Sequence, residues 1–321
     1  MLEMPLDKSN SEADRIRIKR EKMVYSNYLA KATLFKNGVT SRAAVIVSGT
    51  GASGESSAHT EIIVGEINTS PADQTTILAA NVAPSRILGS ILFYSDSYLT
   101  SGLSTDFSMG TSDFTVECWA KASQAIGGGW TNLVALGSAA GNDIRISAGG
   151  DFYAPNNGKI GFIVPNTGNS SDLRFRTVNT MTVNSWYHLA LVRIGSTINF
   201  YINGVSQSFT NDANGTLYTS GLPVSFNHTG DVNGKSDFFV NNSLFNESQF
   251  NGLISNVRLV KGLGVYTGNF TVPTSPLSVV SGSIILLNTA DSTNYLNDGS
   301  SYNHTLTTGG SPAYTSSNPF S

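Results

Sequence analysis

Acidic side chains are the first residues in this sequence that could carry chemistry. Two carboxylates held about 5 Å apart can cleave a glycosidic bond, one as nucleophile and one as acid. Downstream of residue 66, however, the chain has only two glutamates, Glu117 and Glu247, which are far apart in sequence. Asp113 and Glu117 are four residues apart, one just before a predicted strand and one within it. We therefore expect no catalytic residues and a non-enzymatic protein, with a glycan hydrolase of unfamiliar carboxylate arrangement as an alternative.

The imidazole and thiol groups show no spacing typical of a metal site. The four histidines form no His-x-His or His-x-x-x-His pair, and Cys118 is the only cysteine. Zinc and similar ions need several such ligands close together. His188 lies within a predicted strand and Cys118 alternates with Val116, so both are predicted to be structural residues. With a single cysteine, no intrachain disulfide can form.

The predicted loops contain residues that could bind calcium or stack on a sugar. Residues 231–237 (DVNGKSD) and 291–298 (DSTNYLND) offer hard oxygen ligands for calcium, but Asp, Asn and Gly clusters are also the usual material of turns. We expect no cofactor, with calcium as the alternative. Trp130, Tyr153 and Tyr218 fall in predicted loops, where an exposed aromatic ring could stack on a sugar. The ligand-binding residues themselves stay open at this point.

Charge and hydropathy argue against nucleic-acid and membrane partners. The net charge is −3, although residues 1–43 hold nine Lys/Arg against five Asp/Glu. Acidic residues are interleaved with the basic run, which favours a solvated or salt-bridged docking surface over nucleic-acid binding. The run comprises Arg15, Arg17, Lys19, Arg20 and Lys22. The start has no apolar run typical of a secretory signal, and we expect assembly in a reducing cytoplasm.

Two regions with different patterns follow one another along the chain. In residues 1–85, apolar side chains spaced three and four apart predict a helix over about 11–36. Short strands are predicted at 43–49, 61–68 and 74–88, with a Gly/Ser loop over 48–58 between the first two. These elements are too few for a large core, so the segment is predicted to gain order by packing against partner chains.

Residues 86–321 alternate apolar and polar side chains in short runs separated by Gly, Asn, Asp and Ser. DFTVECWAK (113–121) places Phe114, Val116, Cys118 and Ala120 on one face of a strand. About ten to thirteen such strands are predicted between residues 87 and 290, with hairpin turns at Gly195-Ser196 and Asn203-Gly204. This rhythm predicts an all-β fold of two antiparallel sheets.

Four blocks of this region resemble the laminin-G-like, concanavalin A-like lectin/glucanase superfamily. The third, NSWYHLALVRIGSTINFYINGV, is the most specific, because a Trp-Tyr-His-Leu-Ala strand followed by a Phe-Tyr-Ile-Asn-Gly hairpin is close to the family signature. The resemblance implies a jelly-roll β-sandwich behind a small α+β attachment segment. Trp119, Trp186 and Tyr201 are predicted to fill the gap between the sheets. The blocks are residues 90–100, 110–123, 184–205 and 250–277.

The fourth block, continuing as VKGLGVYTGNFTVPTSPL, resembles the form of this domain found in tailed phages. That resemblance implies a virion protein displayed on the particle surface as capsid decoration, head fibre or tail fibre. Residues 1–85 would bind other virion proteins, and the sandwich would contact surfaces or host glycans. We expect a homo-oligomer, a trimer held by the N-terminal segment. A carbohydrate-binding tail-fibre adhesin for host recognition is the main alternative.

Overall fold

A computed structural model gives the fold as two units, residues 1–86 and 87–321. In the N-terminal unit the structure describes only strand backbones, and in the second unit it describes most residues. The described ranges are 2–3, 17–20, 31–34, 41–49, 59–67, 75–78, 88–94, 96–127, 129–137, 143–150, 158–165, 172–229, 233–241, 250–289 and 292–320. No helix within these ranges is long and apolar enough to cross a membrane.

The N-terminal unit consists, within the described ranges, of short antiparallel strands. Strands β1, β2, β3 and β6 form one sheet in that order, and β4 pairs with β5 from Ser41 opposite Ile67 to Gly49 opposite His59. The strands predicted at 43–49 and 61–68 are confirmed, and each begins two residues earlier than predicted. The six strands are β1 Leu2–Glu3, β2 Arg17–Arg20, β3 Lys31–Leu34, β4 Ser41–Gly49, β5 His59–Ile67 and β6 Thr75–Leu78.

The helix predicted over residues 11–36 is wrong where the structure describes that range. Arg17–Arg20 and Lys31–Leu34 are strands that pair with each other, Lys19 opposite Thr33. The physical reason lies in the sequence RIRIKR (15–20), which alternates charged and apolar residues with the period of a strand. The remaining residues of the predicted helix lie outside the described ranges.

The second unit, here called the sandwich unit, contains two antiparallel sheets of nine strands each among its described residues. Sheet I has the order β18-β17-β13-β12-β11-β10-β20-β8-β23. Sheet II has the order β16-β15-β14-β9-β21-β7-β24, with β19 also pairing with β15 and β22 with β21. The predicted all-β, two-sheet jelly-roll architecture is confirmed. The strands are β7 Ser90–Phe93, β8 Tyr98–Thr100, β9 Phe114–Ala122, β10 Gly129–Gly137, β11 Ile144–Gly150, β12 Lys159–Val164, β13 Leu173–Thr180, β14 Trp186–Ile194, β15 Thr197–Ile202, β16 Val205–Ser206, β17 Phe209–Asn211, β18 Leu217–Tyr218, β19 Leu222–Pro223, β20 Asp237–Val240, β21 Gly252–Lys261, β22 Ser283–Leu287, β23 Thr307–Gly309 and β24 Ala313–Thr315.

The core between the sheets is built from the alternating residues of the strands. In β9 every second residue from Phe114 to Ala120 is fully buried in this core, as predicted, and Cys118 is among them. Burial and the neighbouring Glu117 raise the pKa of the Cys118 thiol, so the sulfur stays protonated. Each buried Phe or Leu side chain stabilises the fold by roughly 1.5–3 kcal/mol relative to an exposed one.

The large aromatics predicted to fill this gap do not lie in it. Trp119 alternates with the core residues of β9 and therefore faces the opposite side of sheet II, where it packs against His188. Tyr201 belongs to a second cluster, with Ala190 and Val192, and Trp186 lies beneath the Lys121 ammonium. The prediction was wrong because residue size does not fix which face of a strand points inward. Phenylalanines fill the gap instead, among them Phe162, Phe175, Phe200 and Phe209.

The two predicted hairpin turns are confirmed. Ile194 pairs with Thr197, which leaves Gly195 and Ser196 as a two-residue turn. Asn203 and Gly204 have φ of 49° and 76°, the left-handed conformation of a tight hairpin, and the Asn203 side chain accepts a hydrogen bond from the His188 amide at 2.8 Å. These turns fix the register of three consecutive strands.

Gly204→Ala should destabilise the sandwich strongly, by about 3 kcal/mol. The residue needs positive φ, which alone costs about 1–2 kcal/mol for an L side chain, and a new Cβ would also overlap the Phe270 carbonyl oxygen. Gly195→Ala is the matched control, because Gly195 has φ of 57° but nothing within 4 Å of its Cβ position. Urea unfolding measures both variants. Equal losses of stability in the two would contradict the predicted contact at Gly204.

Candidate functional site

A fully buried acid lies on the face of sheet II that points away from the main core. Glu117 is in the middle of β9, opposite Ala190 of β14 and Arg258 of β21. The register of β21 shifts next to this point, where Asn256 adopts a φ of 51°. Strand alternation thus places Glu117 outside the main core and beside the guanidinium of Arg258.

Three side chains saturate the Glu117 carboxylate. Oε1 accepts a hydrogen bond from Arg258 Nε at 2.7 Å, and Arg258 Nη2 lies 2.6 Å away. Oε2 accepts a hydrogen bond from the Tyr266 hydroxyl at 2.8 Å and lies 3.1 Å from His188 Nε2. Burial by itself would raise the pKa of Glu117, but these hydrogen bonds and the charge of Arg258 outweigh it and hold that pKa below its ordinary value. Glu117 is therefore an ionised structural acid.

The segment after β21 covers this acid. Residues 262–280, here called the closing segment, run across the outer face of sheet II. The Val265 amide donates to Thr115 Oγ1 at 2.9 Å, and the Phe270 amide donates to the Gly204 carbonyl at 2.9 Å. The Tyr266 and Phe270 rings stack at 3.6 Å. The closing segment therefore covers the outer face of sheet II and places the Tyr266 hydroxyl within hydrogen-bonding distance of Glu117.

The two carboxylates considered for catalysis do not form a pair. Four residues along an extended strand span about 13 Å, whereas glycosidase carboxylates lie about 5 to 9.5 Å apart. Asp113 accepts a hydrogen bond from the Gly195 amide at 2.8 Å, and Glu117 is 0% exposed. Glu247 lies outside the described residues. Asp113 and Glu117 thus hold the sheet and its turn together.

His188 is a buried structural residue, as predicted. It is 0% exposed, and its ring packs edge-on against Trp119 and Phe270 at 5.2 and 5.6 Å between centroids. Its Nδ1 atom has no hydrogen-bond partner among the described residues. The ring is fully buried, and its Nε2 atom lies 3.1 Å from Glu117 Oε2. His188 therefore helps to orient Glu117 within the packed face.

Of the aromatic residues considered for stacking on a sugar, Trp130 and Tyr218 are not in the exposed loops that were expected. Trp130 is a strand residue of β10 and only 3% exposed, with the Arg176 guanidinium 4.9 Å from its ring centre. Tyr218 packs against Phe175 and Phe209 at 5.7 and 5.8 Å. Tyr153 lies outside the described residues. Trp130 and Tyr218 are thus packed, because their strands place them against neighbouring side chains.

The acidic loops considered for calcium use their described carboxylates internally. Asp298 accepts hydrogen bonds from the amides of Leu286, Ser300 and His304, each at 2.9 Å. Asp237 accepts hydrogen bonds from Thr100 and Ser101, and burial raises its pKa. Asp231 and Asp291 lie outside the described residues. In the described part of the chain, no group of three or more His, Cys, Asp or Glu residues could hold a metal ion.

An exposed aromatic cluster that the sequence analysis did not single out lies at one end of the sandwich. We call Asp106, Tyr302, Asn303 and His304 the rim cluster. Tyr302 is 50% exposed and stacks on His304 with ring centres 5.8 Å apart and planes at 11°. His304 Nε2 lies 3.5 Å from Asp106 Oδ2. The only sequence signal was a tyrosine and a histidine within a polar loop, which is also ordinary turn composition.

Residues 94–263, just over half of the chain, match the family model of the concanavalin A-like lectin/glucanase superfamily in its laminin-G form. The chain belongs to this superfamily. No curated protein sequence matches it.

Several solved structures are similar to this chain at low sequence identity. A candidate carbohydrate-binding protein of Bacteroides ovatus is 14% identical over 80% of this chain and 67% of its own, with a TM-score of 0.48. A pentraxin of Limulus polyphemus is 10% identical over 71% of this chain and 97% of its own, with a TM-score of 0.41. Tailspike protein 2 of an Escherichia coli O157:H7 bacteriophage is 16% identical over 56% of this chain and 24% of its own, with a TM-score of 0.36.

Glu117→Gln should make the protein less stable near neutral pH and less sensitive to acid. The variant leaves the Arg258 charge buried without its counter-ion, which costs about 3–5 kcal/mol. Since the folded pKa of Glu117 is lowered, its contribution is present above the ordinary glutamate pKa of about 4.3 and is lost as the pH falls through the folded value. Urea unfolding across the acid range measures both effects.

Asp96 is exposed and provides the control for the loss of a carboxylate, and Asp96→Asn should leave the free energy of unfolding near neutral pH unchanged. Tyr266→Phe, which removes one hydrogen bond to Glu117, should cost about 1.5–3 kcal/mol and gives a readout if Glu117→Gln fails to fold. An acid dependence that is the same in wild type and in Glu117→Gln would contradict the role given to this carboxylate.

Proposed function

We propose that this chain is a structural protein displayed on the surface of a bacteriophage virion, as capsid decoration, head fibre or tail fibre. In this proposal the N-terminal unit binds other virion proteins, and the sandwich projects its exposed rims toward surfaces or host glycans. The resemblance of residues 250–277 to the tailed-phage form of the domain supports the virion location. Membership of a lectin superfamily supports glycan contact.

The burial of Glu117 is the observation that carries the non-catalytic part of this proposal. In the sandwich unit, the described glutamate is fully buried, ionised and saturated by Arg258, Tyr266 and His188. A carboxylate in that state cannot approach a glycosidic oxygen. The same network fixes the closing segment, so the residues that resemble the phage form of the domain have a structural explanation.

The second candidate function is that of a host-recognition adhesin on a tail fibre. The rim cluster favours it, because Tyr302 presents half of its surface to solvent beside a carboxylate and an exposed amide. Aromatic rings with polar neighbours are the chemistry that proteins use to hold sugar rings. Under this alternative, glycan binding is the main role of the protein rather than an accessory to display.

We propose further that the protein is a homo-trimer joined through its N-terminal unit. The described strands of that unit form one four-stranded and one two-stranded sheet, and a two-stranded sheet by itself is only marginally stable in water. Packing against identical copies would complete their burial. Light scattering of the full-length protein measures its mass, and a single monomeric species would contradict the trimer.

Three measurements on the full-length chain test the proposed function. Immunogold microscopy with antibodies against the chain should label the surface of the phage particles. A glycan array should show binding, and incubation of polysaccharides with the protein should release no reducing ends. Unlabelled particles would overturn the virion role. Release of reducing sugar above the level of heat-unfolded protein would overturn the non-catalytic reading, and an array without bound glycans would overturn glycan contact.

A further inference from the structure

The rim cluster is assembled by the pairing of two strands distant in sequence. Strand β8 pairs with β23 in antiparallel orientation, Thr100 opposite Thr307. The residues that follow β8 therefore meet the residues that precede β23 at one end of the sandwich. The first group contains the 3₁₀ turn Thr105–Phe107, and the second contains Tyr302 and His304.

Two successive ring contacts connect the exposed tyrosine to the main core. Tyr302 lies parallel to His304, and the His304 ring centre is 4.7 Å from that of Phe107. Phe107 is fully buried in the main core. Two hydrogen bonds from backbone amides to side chains fix the loop: the Tyr302 amide donates to Ser300 Oγ at 3.2 Å and the His304 amide donates to Asp298 Oδ2 at 2.9 Å. The position of the Tyr302 ring is therefore set before any ligand arrives, which lowers the entropy cost of binding.

The carboxylate of Asp106, beside the Tyr302 and His304 rings, has an oxygen atom that can accept a hydrogen bond from a ligand. Asp106 Oδ2 accepts a hydrogen bond from Ser104 Oγ at 2.9 Å and lies 3.5 Å from His304 Nε2. Asp106 Oδ1 has no hydrogen-bond partner among the described residues, and the side chain is 35% exposed. An ionised carboxylate oxygen is a strong acceptor for hydroxyl groups. The cluster thus offers a flat apolar ring face and a free carboxylate oxygen at the same rim.

The charges around the rim favour an uncharged ligand. The Lys261 ammonium donates to the backbone carbonyl of Asp106 at 3.3 Å, so the rim carries one positive and one negative side chain. With these two charges opposed, a ligand gains nothing from carrying a net charge of its own. Hydroxyl groups and an apolar ring face remain as the features that the rim can recognise.

We propose that the rim cluster binds the ring of an uncharged pyranose sugar. Tyr302 stacks against the C–H face of the sugar, a sugar hydroxyl donates to Asp106 Oδ1, and the exposed amide of Asn303 bonds a second hydroxyl. The inference rests on the glycan contact proposed above and names the residues and the sugar class that this contact would use. Trp130 is 3% exposed and Tyr218 packs against Phe175, whereas Tyr302 of the rim cluster is 50% exposed.

Tyr302→Ala in the full-length protein should weaken binding to an immobilised neutral polysaccharide by about tenfold, the loss expected for one aromatic stacking contact. The polysaccharide is chosen from the neutral glycans that bind wild type on the array. Asp106→Asn should weaken binding several-fold, because the amide is the weaker acceptor. Tyr94→Ala is the matched control, since Tyr94 is 51% exposed but precedes β8 and so lies at the other end of that strand. Its affinity should equal that of wild type.

Competition by single sugars tests the ligand class. Methyl glucoside, galactoside and mannoside are compared with methyl glucuronide as competitors for the wild-type protein. We expect at least one neutral glycoside to compete and the glucuronide to compete more weakly than methyl glucoside. Stronger competition by the glucuronide would overturn the assignment of an uncharged ligand. Equal unfolding midpoints of all variants show that a lost affinity is not a lost fold.

The outcomes separate this inference from the proposed function. If wild type binds glycans and Tyr302→Ala binds them equally well, the rim assignment is overturned while glycan contact stands. A wild-type protein that binds no glycan on the array overturns both. Loss of binding in Tyr94→Ala as well would also count against the rim, because it would show that the effect is not specific to this end of the sandwich.

Discussion

The buried carboxylate of Glu117 is the interaction on which the arrangement of the sandwich unit depends. A charge without solvent contact costs several kcal/mol unless it is paired and hydrogen-bonded. Arg258, Tyr266 and His188 meet that requirement, and they come from two other strands and from the closing segment. The acid can be satisfied only when β9, β14 and β21 are in register and the closing segment lies over them. One side chain therefore couples sheet register to the docking of a long loop.

This coupling limits what sheet II can do. Sheet II is covered on its inner face by the main core and on its outer face by the closing segment, where Tyr266 and Phe270 pack over Tyr201. A sheet buried on both faces is a scaffold and offers little surface to a ligand. The exposed aromatic and polar side chains of the rim cluster lie instead in loops at one end of the sandwich. A rigid scaffold with functional loops is a common division of labour in β-sandwiches.

Membership of the superfamily establishes the architecture of the sandwich unit. It does not establish the function, because one fold supports many functions and the function depends on particular residues. In this chain the acid at the centre of β9, Glu117, is fully buried and serves packing. The rim cluster has the opposite character, since its tyrosine is held by a ring stack on the core and still faces solvent. These two environments support the proposed role of binding without catalysis.

The sequence by itself determined the strands, the turns and the two-sheet class of residues 86–321. Alternation in β9 and the positive φ demanded at Asn203-Gly204 are local properties, and local properties can be read from a few neighbouring residues. The tertiary structure alone decided that Trp119 and Tyr201 lie outside the main core, that Glu117 meets Arg258, and that His304 meets Asp106. These contacts join segments up to about 200 residues apart, and the periodicity of a strand does not state which of its faces points inward. The helix expected over 11–36 gave way to strands at Arg17–Arg20 and Lys31–Leu34, because charged and apolar residues alternate in RIRIKR (15–20) with the period of a strand.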